Sequence, residues 1–246
     1  MAWGPLSGSS SQVIASAVAV PFLRTGLLAY YKFESDGTDS HDNGYDLTLV
    51  NVPTFVIGEV GNAIDFEASS DQRANNTAFN DLNGADKFTL MCWFKGETVT
   101  GTHTIIGQFT STNTTQSNWL IQIQGSQLKT YTTSSTTWDN AIITTNTPFS
   151  VDTIYHLRVT YDLTQSTELD RVKYWVDGTL IANSDKTVES GTQPSVLLSN
   201  DIDLQFGAWG AGYSDFDGWI DEAGLWDYVL TDSEADLHRL KTGLPY

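Results

Sequence analysis

The stretch FDGWIDEAGLWDYVLTDSEADL, residues 216–237, gives the clearest indication of the fold. Its first half contains GWIDEAGLW, a short apolar-rich run that is typical of a β-strand. Its second half contains T-x-x-E at Thr231 and Glu234, a capping box that predicts one short helix. Asp221 and Glu222 are sequence neighbours, so a regular strand points them to opposite faces. The stretch therefore predicts a last strand and a C-terminal helix, and it disfavours a catalytic pair of carboxylates.

Runs of the same kind fill the chain upstream, back to residue 26. Several alternate apolar with polar residues, and Asp177–Gly178 is a strong hairpin signal between two of them. Short strands at this spacing predict an all-β chain folded as a two-sheet antiparallel β-sandwich. The runs are LLAYYKF, AIDF, FTLMCWF, TIIGQF, WLIQIQ, LKTYTT, YHLRVTY, RVKYWV and DLQFG.

The composition limits the classes of partner. The chain has 246 residues, 40% of them hydrophobic, which suits one large core and one domain. Thirty acidic residues against 12 basic ones give a net charge of −18, which disfavours nucleic acid and anionic membrane surfaces. No stretch is long and apolar enough for membrane insertion. The one cysteine, Cys92, alternates with apolar residues and is expected to be a buried thiol.

Residues 1–25 differ from the rest of the chain. They are small, apolar and uncharged as far as Arg24, and they lack the basic start of a signal peptide. One interpretation is a disordered leader that ends in a first strand. The other is an extended N-terminal arm that docks on another subunit of an oligomer. The anchors of such an arm are Trp3, Val13, Ile14, Val18 and Phe22.

The order of the runs in residues 26–246 resembles a known family, the concanavalin A-like jelly roll, in particular its laminin-G-like and pentraxin-like branch. The matching pieces are GLLAYYKFE, GEVGNAIDFE, FTLMCWFKG, YHLRVTYD, VKYWVDGTLI, LQFGAWG and the 216–237 stretch, in the family's order. The resemblance implies a single jelly-roll domain after the arm. It also implies a binding or adhesion role, because most members are display modules on extracellular proteins and virus particles. Some relatives cleave glycans.

The hydrolase alternative fits the residues poorly. Sandwich glucanases of this fold carry an E-x-D-x-E strand, whose alternate acids face one cleft. In the last strand Trp219 stands where the middle acid belongs. Asp201, Asp203 and Gln205 share a face, but an amide transfers no proton. We therefore expect no enzyme activity.

The resemblance also implies a structural calcium ion. In relatives the loop after the first strand lies beside the strand that contains IDE. Carried over to this sequence, the Ca²⁺ ligands are Glu34, Asp42, Asp221 and Glu222. Carboxylate oxygens suit this ion. The alternative is that the loop is rich in Asp and Asn simply because it turns.

Aromatic side chains in loops are the candidates for glycan binding, because flat rings stack on the apolar faces of sugars. They are Trp209, Tyr213, Trp138 and Trp119. The alternative is that these rings close the ends of the sandwich. The leading prediction is a non-enzymatic structural or adhesion protein of a virion-type or extracellular assembly that binds surface glycans. The rival is a free calcium-dependent carbohydrate-binding module.

Overall fold

The computed structural model describes residues 22–109, 118–133, 141–144, 148–199, 201–210 and 215–246. Two helices are present in them, α1 (Glu168–Arg171) and α2 (Asp232–Arg239). The strands are β1 (Leu27–Tyr31), β2 (Thr48–Val50), β3 (Thr54–Ile57), β4 (Asn62–Phe66), β5 (Arg73–Asn76), β6 (Lys87–Gly96), β7 (Thr102–Gln108), β8 (Trp119–Gln124), β9 (Gln127–Thr132), β10 (Ala141–Thr144), β11 (Ile154–Asp162), β12 (Val172–Val176), β13 (Thr179–Leu180), β14 (Lys186–Ser190), β15 (Leu204–Phe206) and β16 (Gly218–Trp226).

These strands form two antiparallel sheets, which confirms the predicted sandwich. Sheet A has the order β13-β12-β11-β6-β16-β4-β3, and β1 also pairs with β16. Sheet B has the order β14-β10-β9-β8-β7-β15-β5-β2. The predicted hairpin joins β12 to β13, where Asp177 and Gly178 both have a positive φ, as a type I′ turn requires.

The core lies between the sheets and is rich in aromatic rings. Phe88 of sheet A stacks on Tyr161 at a centroid distance of 4.1 Å and contacts Trp119 of sheet B at 5.3 Å. The Tyr174 hydroxyl meets the Thr130 hydroxyl at 2.6 Å, so a hydrogen bond also joins the two sheets. Cys92 is buried in this core, as predicted.

Helix α2 begins as the sequence predicts. The Thr231 side chain accepts a hydrogen bond from the Glu234 backbone N–H, and the Glu234 carboxylate accepts one from the Thr231 N–H at 2.8 Å. The helix covers part of the outer surface of sheet A, where Ala235 joins a second apolar cluster with Tyr30 and Trp226.

The folded domain begins earlier than residue 26. The buried Leu23 carbonyl accepts a hydrogen bond from the Trp226 indole at 2.7 Å. The Arg24 guanidinium donates to the Pro245 carbonyl and lies 3.9 Å from the centre of the Tyr246 ring. These two residues therefore belong to the domain and not to an arm.

The role of the predicted arm anchors in docking stays a prediction. Phe22 starts a 3₁₀ turn, Phe22–Arg24, beside the domain. Trp3, Val13, Ile14 and Val18 lie outside the described residues. Within the described part of the chain, no helix is long and apolar enough to cross a membrane.

Candidate functional site

One surface of the sandwich combines aromatic rings with polar side chains. Along β8 and β9, every second residue faces the core, and the residues between them point away from sheet A. We call the surface that they form the outer face of sheet B. Backbone pairing aligns Gln205, Gly107, Leu120 and Tyr131 in one row across four strands. The face comprises Thr104, Leu120, Gln122, Lys129, Tyr131, Glu189 and Gln205, and Phe109 and Trp209 flank it.

The aromatic rings of this face form a continuous line. The Phe109 ring lies 5.1 Å from the Trp209 ring and 6.1 Å from the Tyr131 ring, centroid to centroid. Trp209 and Tyr131 are half-buried, so both residues keep part of their surface in solvent, whereas Phe109 is 1% exposed and serves only to hold the two outer rings. At Gly107 an added Cβ would lie 2.7 Å from the Leu120 side chain, so a side chain larger than hydrogen does not fit there without movement.

Polar contacts fix the positions of these rings. The Gln205 amide donates to the Phe109 carbonyl at 3.3 Å and accepts from the Gly210 N–H at 2.9 Å. It therefore ties the end of β7 to the Trp209 segment. Across the face, Gln122 donates to the Thr104 hydroxyl at 3.0 Å. Such pre-set geometry lowers the entropy cost of binding a ligand.

An ion pair closes the β9 end of the face. Lys129 Nζ lies 2.6 Å from a Glu189 carboxylate oxygen and 5.0 Å from the centre of the Tyr131 ring. The pKa of Lys129 is raised. Burial lowers this pKa, but the hydrogen bonds of Lys129 to Glu189 and Tyr131 raise it by more. Both side chains of the Lys129–Glu189 pair are therefore charged, and together they carry no net charge.

Thr104, Leu120 and Gln122 are at most 2% exposed and form the floor of the face. The parts that reach solvent are the Trp209 and Tyr131 residues and the ion pair, which suit the stacking and hydrogen bonding of sugars.

The four aromatic candidates have different outcomes. Trp209 lies on the outer face of sheet B. Tyr213 and Trp138 lie outside the described residues. Trp119 was a wrong prediction, because its side chain is 0% exposed and its indole donates to Gln108 Oε1 at 2.9 Å inside the core. A ring enclosed in this way has no surface to offer a sugar.

Sequence reasoning missed Phe109, Lys129 and Tyr131. A usable signal existed for two of them: in β9, Leu128 and Thr130 face the core, so Lys129 and Tyr131 must face outward. Phe109 follows the last residue of β7, and its role depends on a neighbour 100 residues away in sequence, Trp209.

The predicted calcium ligands form a different kind of site. Asp221 accepts hydrogen bonds from the Glu59 and Val60 backbone N–H groups, each at 2.8 Å. Glu222 has a positive φ of 48° within an irregularity of β16, and its carboxylate accepts from the Tyr30 hydroxyl. Both acidic side chains are fully buried. Glu34 accepts from the Asn62 N–H at 3.0 Å.

This arrangement fits Ca²⁺ poorly. Asp42 is exposed, and no three acidic, His or Cys side chains among the described residues lie close enough to share a metal ion. Calcium takes six to eight oxygen ligands. Asp221 Oδ1 and Glu222 Oε1 are buried and without partners. Burial raises the pKa of Asp221 to about 8 and that of Glu222 to about 7, so bound protons reduce the buried charge near neutral pH.

A comparison with protein families identifies the domain. A laminin-G profile described as concanavalin A-like lectin/glucanases superfamily matches residues 67–236. The chain belongs to this superfamily. A comparison with curated protein sequences finds no match.

Solved structures similar to this laminin-G-like domain share its fold at low sequence identity. Domain 4 of a GH43 extracellular arabinanase from Geobacillus stearothermophilus, in complex with arabinotriose, has a TM-score of 0.61 and 20% identity, covering 85% of this chain and 95% of that one. The binding domain of Paraclostridial mosquitocidal protein 1 has a TM-score of 0.66 and 16% identity, covering 89% and 53%. A botulinum neurotoxin serotype D ligand-binding domain, in complex with N-acetylneuraminic acid, has a TM-score of 0.62 and 11% identity, covering 90% and 52%. The chain thus spans about half of the two toxin domains.

Proposed function

We propose that this protein is a non-enzymatic glycan-binding module whose binding surface is the outer face of sheet B. The observation that carries the proposal is the pair of half-buried rings, Trp209 and Tyr131, which both contact the buried Phe109 ring and lie beside the Lys129–Glu189 pair. Two rings held apart in this way suit a chain of sugars better than one isolated sugar.

The relatives support this proposal. The arabinanase domain is in complex with arabinotriose and the serotype D toxin domain with N-acetylneuraminic acid, so two similar domains are found with carbohydrates. The net charge of this chain favours neutral sugars, such as arabinotriose, over acidic sugars, such as N-acetylneuraminic acid. A net charge of −18 repels acidic sugars, and the cation on the face is already paired with Glu189. We therefore expect neutral oligosaccharides as ligands.

A glycan array tests this function. The full chain is applied to immobilised neutral and acidic oligosaccharides at low and at high salt. The proposal predicts retention on neutral glycans that changes little with salt, because stacking and neutral hydrogen bonds are weakly screened. Retention on acidic glycans alone, or on none, would contradict it.

The absence of catalysis is part of the proposal. Asp203 accepts a hydrogen bond from the Asn75 amide at 3.1 Å, Asp201 is exposed, and Gln205 supplies an amide where a carboxyl is needed. Incubation with a broad panel of polysaccharides should release no product. Product release that disappears in Asp201→Asn or Asp203→Asn would restore the hydrolase alternative.

An assembly role through the arm, on a virion or another extracellular particle, stays a prediction. Light scattering of the full chain and of a variant starting at residue 22 tests it. The shortened variant keeps Leu23 and Arg24, which pack on the domain. An oligomer that becomes a monomer on shortening would support the arm as an assembly device.

Calcium dependence also stays a prediction. A thermal melt with and without a chelator tests it, and an unchanged melting temperature would exclude a structural ion.

A further inference from the structure

A second groove lies on the opposite side of the sandwich, between α2 and strands β11 and β12 of sheet A. It consists of two cavities of about 190 and about 330 Å³, and Trp175 and Asp232 line both of them. The smaller cavity is also lined by His156 and Arg158, and the larger by Thr160 and Lys173. Both cavities are large enough to admit a group the size of one sugar ring.

Trp175 forms a fixed platform in this groove. The Arg158 guanidinium lies 3.5 Å from the centre of the Trp175 ring, which holds the ring in one orientation. The ring is half-buried and lines both cavities, so part of its surface remains available to a ligand. Exposed Leu180 lines the larger cavity, which adds apolar surface on that side.

A chain of hydrogen bonds sets the protonation of His156. His238 Nε2 lies 2.8 Å from the Glu222 carbonyl oxygen, so this nitrogen must carry the proton. His238 is fully buried and its Nδ1 faces only His156 Nε2, so in the neutral ring, whose proton is on Nε2, Nδ1 is the acceptor. His156 Nε2 lies 3.0 Å from that Nδ1 and therefore donates to it. His156 Nδ1 is then left as a bare acceptor.

Two residues that line the groove therefore carry one acceptor and one donor that the protein does not satisfy. His156 is 1% exposed, and its Nδ1 has no partner. Arg158 is 2% exposed; it binds the Thr231 carbonyl and the Asp232 carboxylate through its terminal nitrogens, but its Nε–H has no partner. A buried polar group without a partner destabilises the folded protein, so a ligand that satisfies both atoms gains from binding here.

We propose that this groove is a second glycan-binding site, in which a neutral sugar packs against Trp175 and places hydroxyl groups at His156 Nδ1 and Arg158 Nε. A hydroxyl both donates and accepts, so it satisfies either atom. A carboxylate suits Arg158 but meets the lone pair of His156 and the acids Asp232 and Asp236 in the same cavity. An ammonium group suits His156 but not the guanidinium.

This second site does not depend on the proposed function of sheet B. Trp175 and Trp209 belong to different sheets, so substitution of one leaves the other in place. Each site can therefore fail without the other.

Heteronuclear NMR of the full chain tests the second site through the indole resonances. The Trp175 signal is assigned by its loss in Trp175→Phe, and methyl glycosides of glucose, galactose, mannose and arabinose are added to about 10 mM, roughly ten times a weak Kd of about 1 mM. We expect at least one glycoside to shift the Trp175 signal in the wild type and equally in Trp209→Ala.

Variants and a ring-free polyol sharpen this test. Arg158→Lys keeps a cation for Asp232 but removes Nε–H, and we expect roughly tenfold weaker binding at the groove. Trp175→Phe should still bind, detected by the backbone signals of β12, whereas Trp175→Ala should not. No shift of Trp175 with any glycoside would overturn the inference, and so would an equal shift with glycerol, which has hydroxyls but no ring. Neither result would affect binding at Trp209.

Discussion

The two outer faces of the sandwich differ in how far their polar residues reach solvent. On sheet A, helix α2 and neighbouring loops enclose them: His156, Arg158, Asp221 and Glu222 are almost wholly buried. On sheet B, Thr104 and Gln122 are as deeply buried, but Tyr131 and Trp209 remain half-buried and the Lys129–Glu189 pair reaches the surface. Enclosure shifts the pKa values of the sheet A residues. Partial exposure at the margin of sheet B leaves two aromatic residues and one ion pair within reach of a ligand.

The largest expected effect contrasts two tryptophans of sheet B. Trp119→Ala removes a fully buried indole and leaves the Gln108 amide oxygen without its donor, so we expect a loss of about 3–5 kcal/mol in the free energy of unfolding. Trp209→Ala should cost less than Trp119→Ala, because Trp209 is only half-buried. Chemical denaturation of both variants measures the difference. Equal losses would mean that Trp209 is part of the structural core.

The buried acids of sheet A predict a stability that depends on pH. Folded-state pKa values of about 8 for Asp221 and about 7 for Glu222 lie above their usual values of 3.8 and 4.5, so stability falls as pH rises toward 8. His156 and His238 act in the opposite direction, because burial lowers their pKa values, but their contribution is complete above about 6.5. Between pH 6.5 and pH 8 we therefore expect a loss of about 2 kcal/mol.

Asp221→Asn isolates this effect. The amide oxygen can still accept from the Glu59 and Val60 N–H groups, and the side chain no longer ionises. The variant should be more stable than the wild type at pH 8, with a flatter profile from pH 6.5 to 8, in thermal melts with chelator present. A steep profile in the variant would assign the pH dependence to other groups.

Loss of the capping box of α2, the helix that packs on sheet A, should have a smaller effect on the free energy of unfolding. Thr231→Ala removes the acceptor for the Glu234 N–H, and we expect a loss of about 1 kcal/mol. Thr231→Ser keeps the hydroxyl and should remain close to the wild type. Denaturation of the pair measures the cap alone, and an equal loss in both variants would assign the effect to the Thr231 methyl group.

The sequence predicts the long strands and α2, because alternation and capping are local. No predicted run covers β2, β3, β5, β10 or β14; of these, β2, β3 and β14 are short and largely exposed and therefore lack an apolar pattern. The environment of Asp221 and Glu222 was beyond sequence reasoning. Their burial depends on the irregularity of β16 and on contacts with Tyr30 and the 59–60 loop, which only the tertiary fold brings together.

The same contrast applies to the proposed binding surface. The partly exposed position of Trp209 was predictable, because it follows a strand in a Gly-rich segment, a local feature. Trp119 was misassigned because the position of a ring next to a loop does not reveal which face of its strand it occupies. The period of two in β8 does reveal it, since Trp119, Ile121 and Ile123 all belong to the core.

The most direct test of the account is the affinity of Trp209→Ala for the neutral oligosaccharide that the array retains best. Isothermal titration compares it with the wild type and with Ile57→Ala, which alters an exposed residue on an edge strand of the opposite sheet. We predict at least about tenfold weaker binding for Trp209→Ala, or about 1.4 kcal/mol, and unchanged binding for Ile57→Ala. Full affinity in Trp209→Ala would contradict the assignment of the outer face of sheet B as the glycan-binding surface.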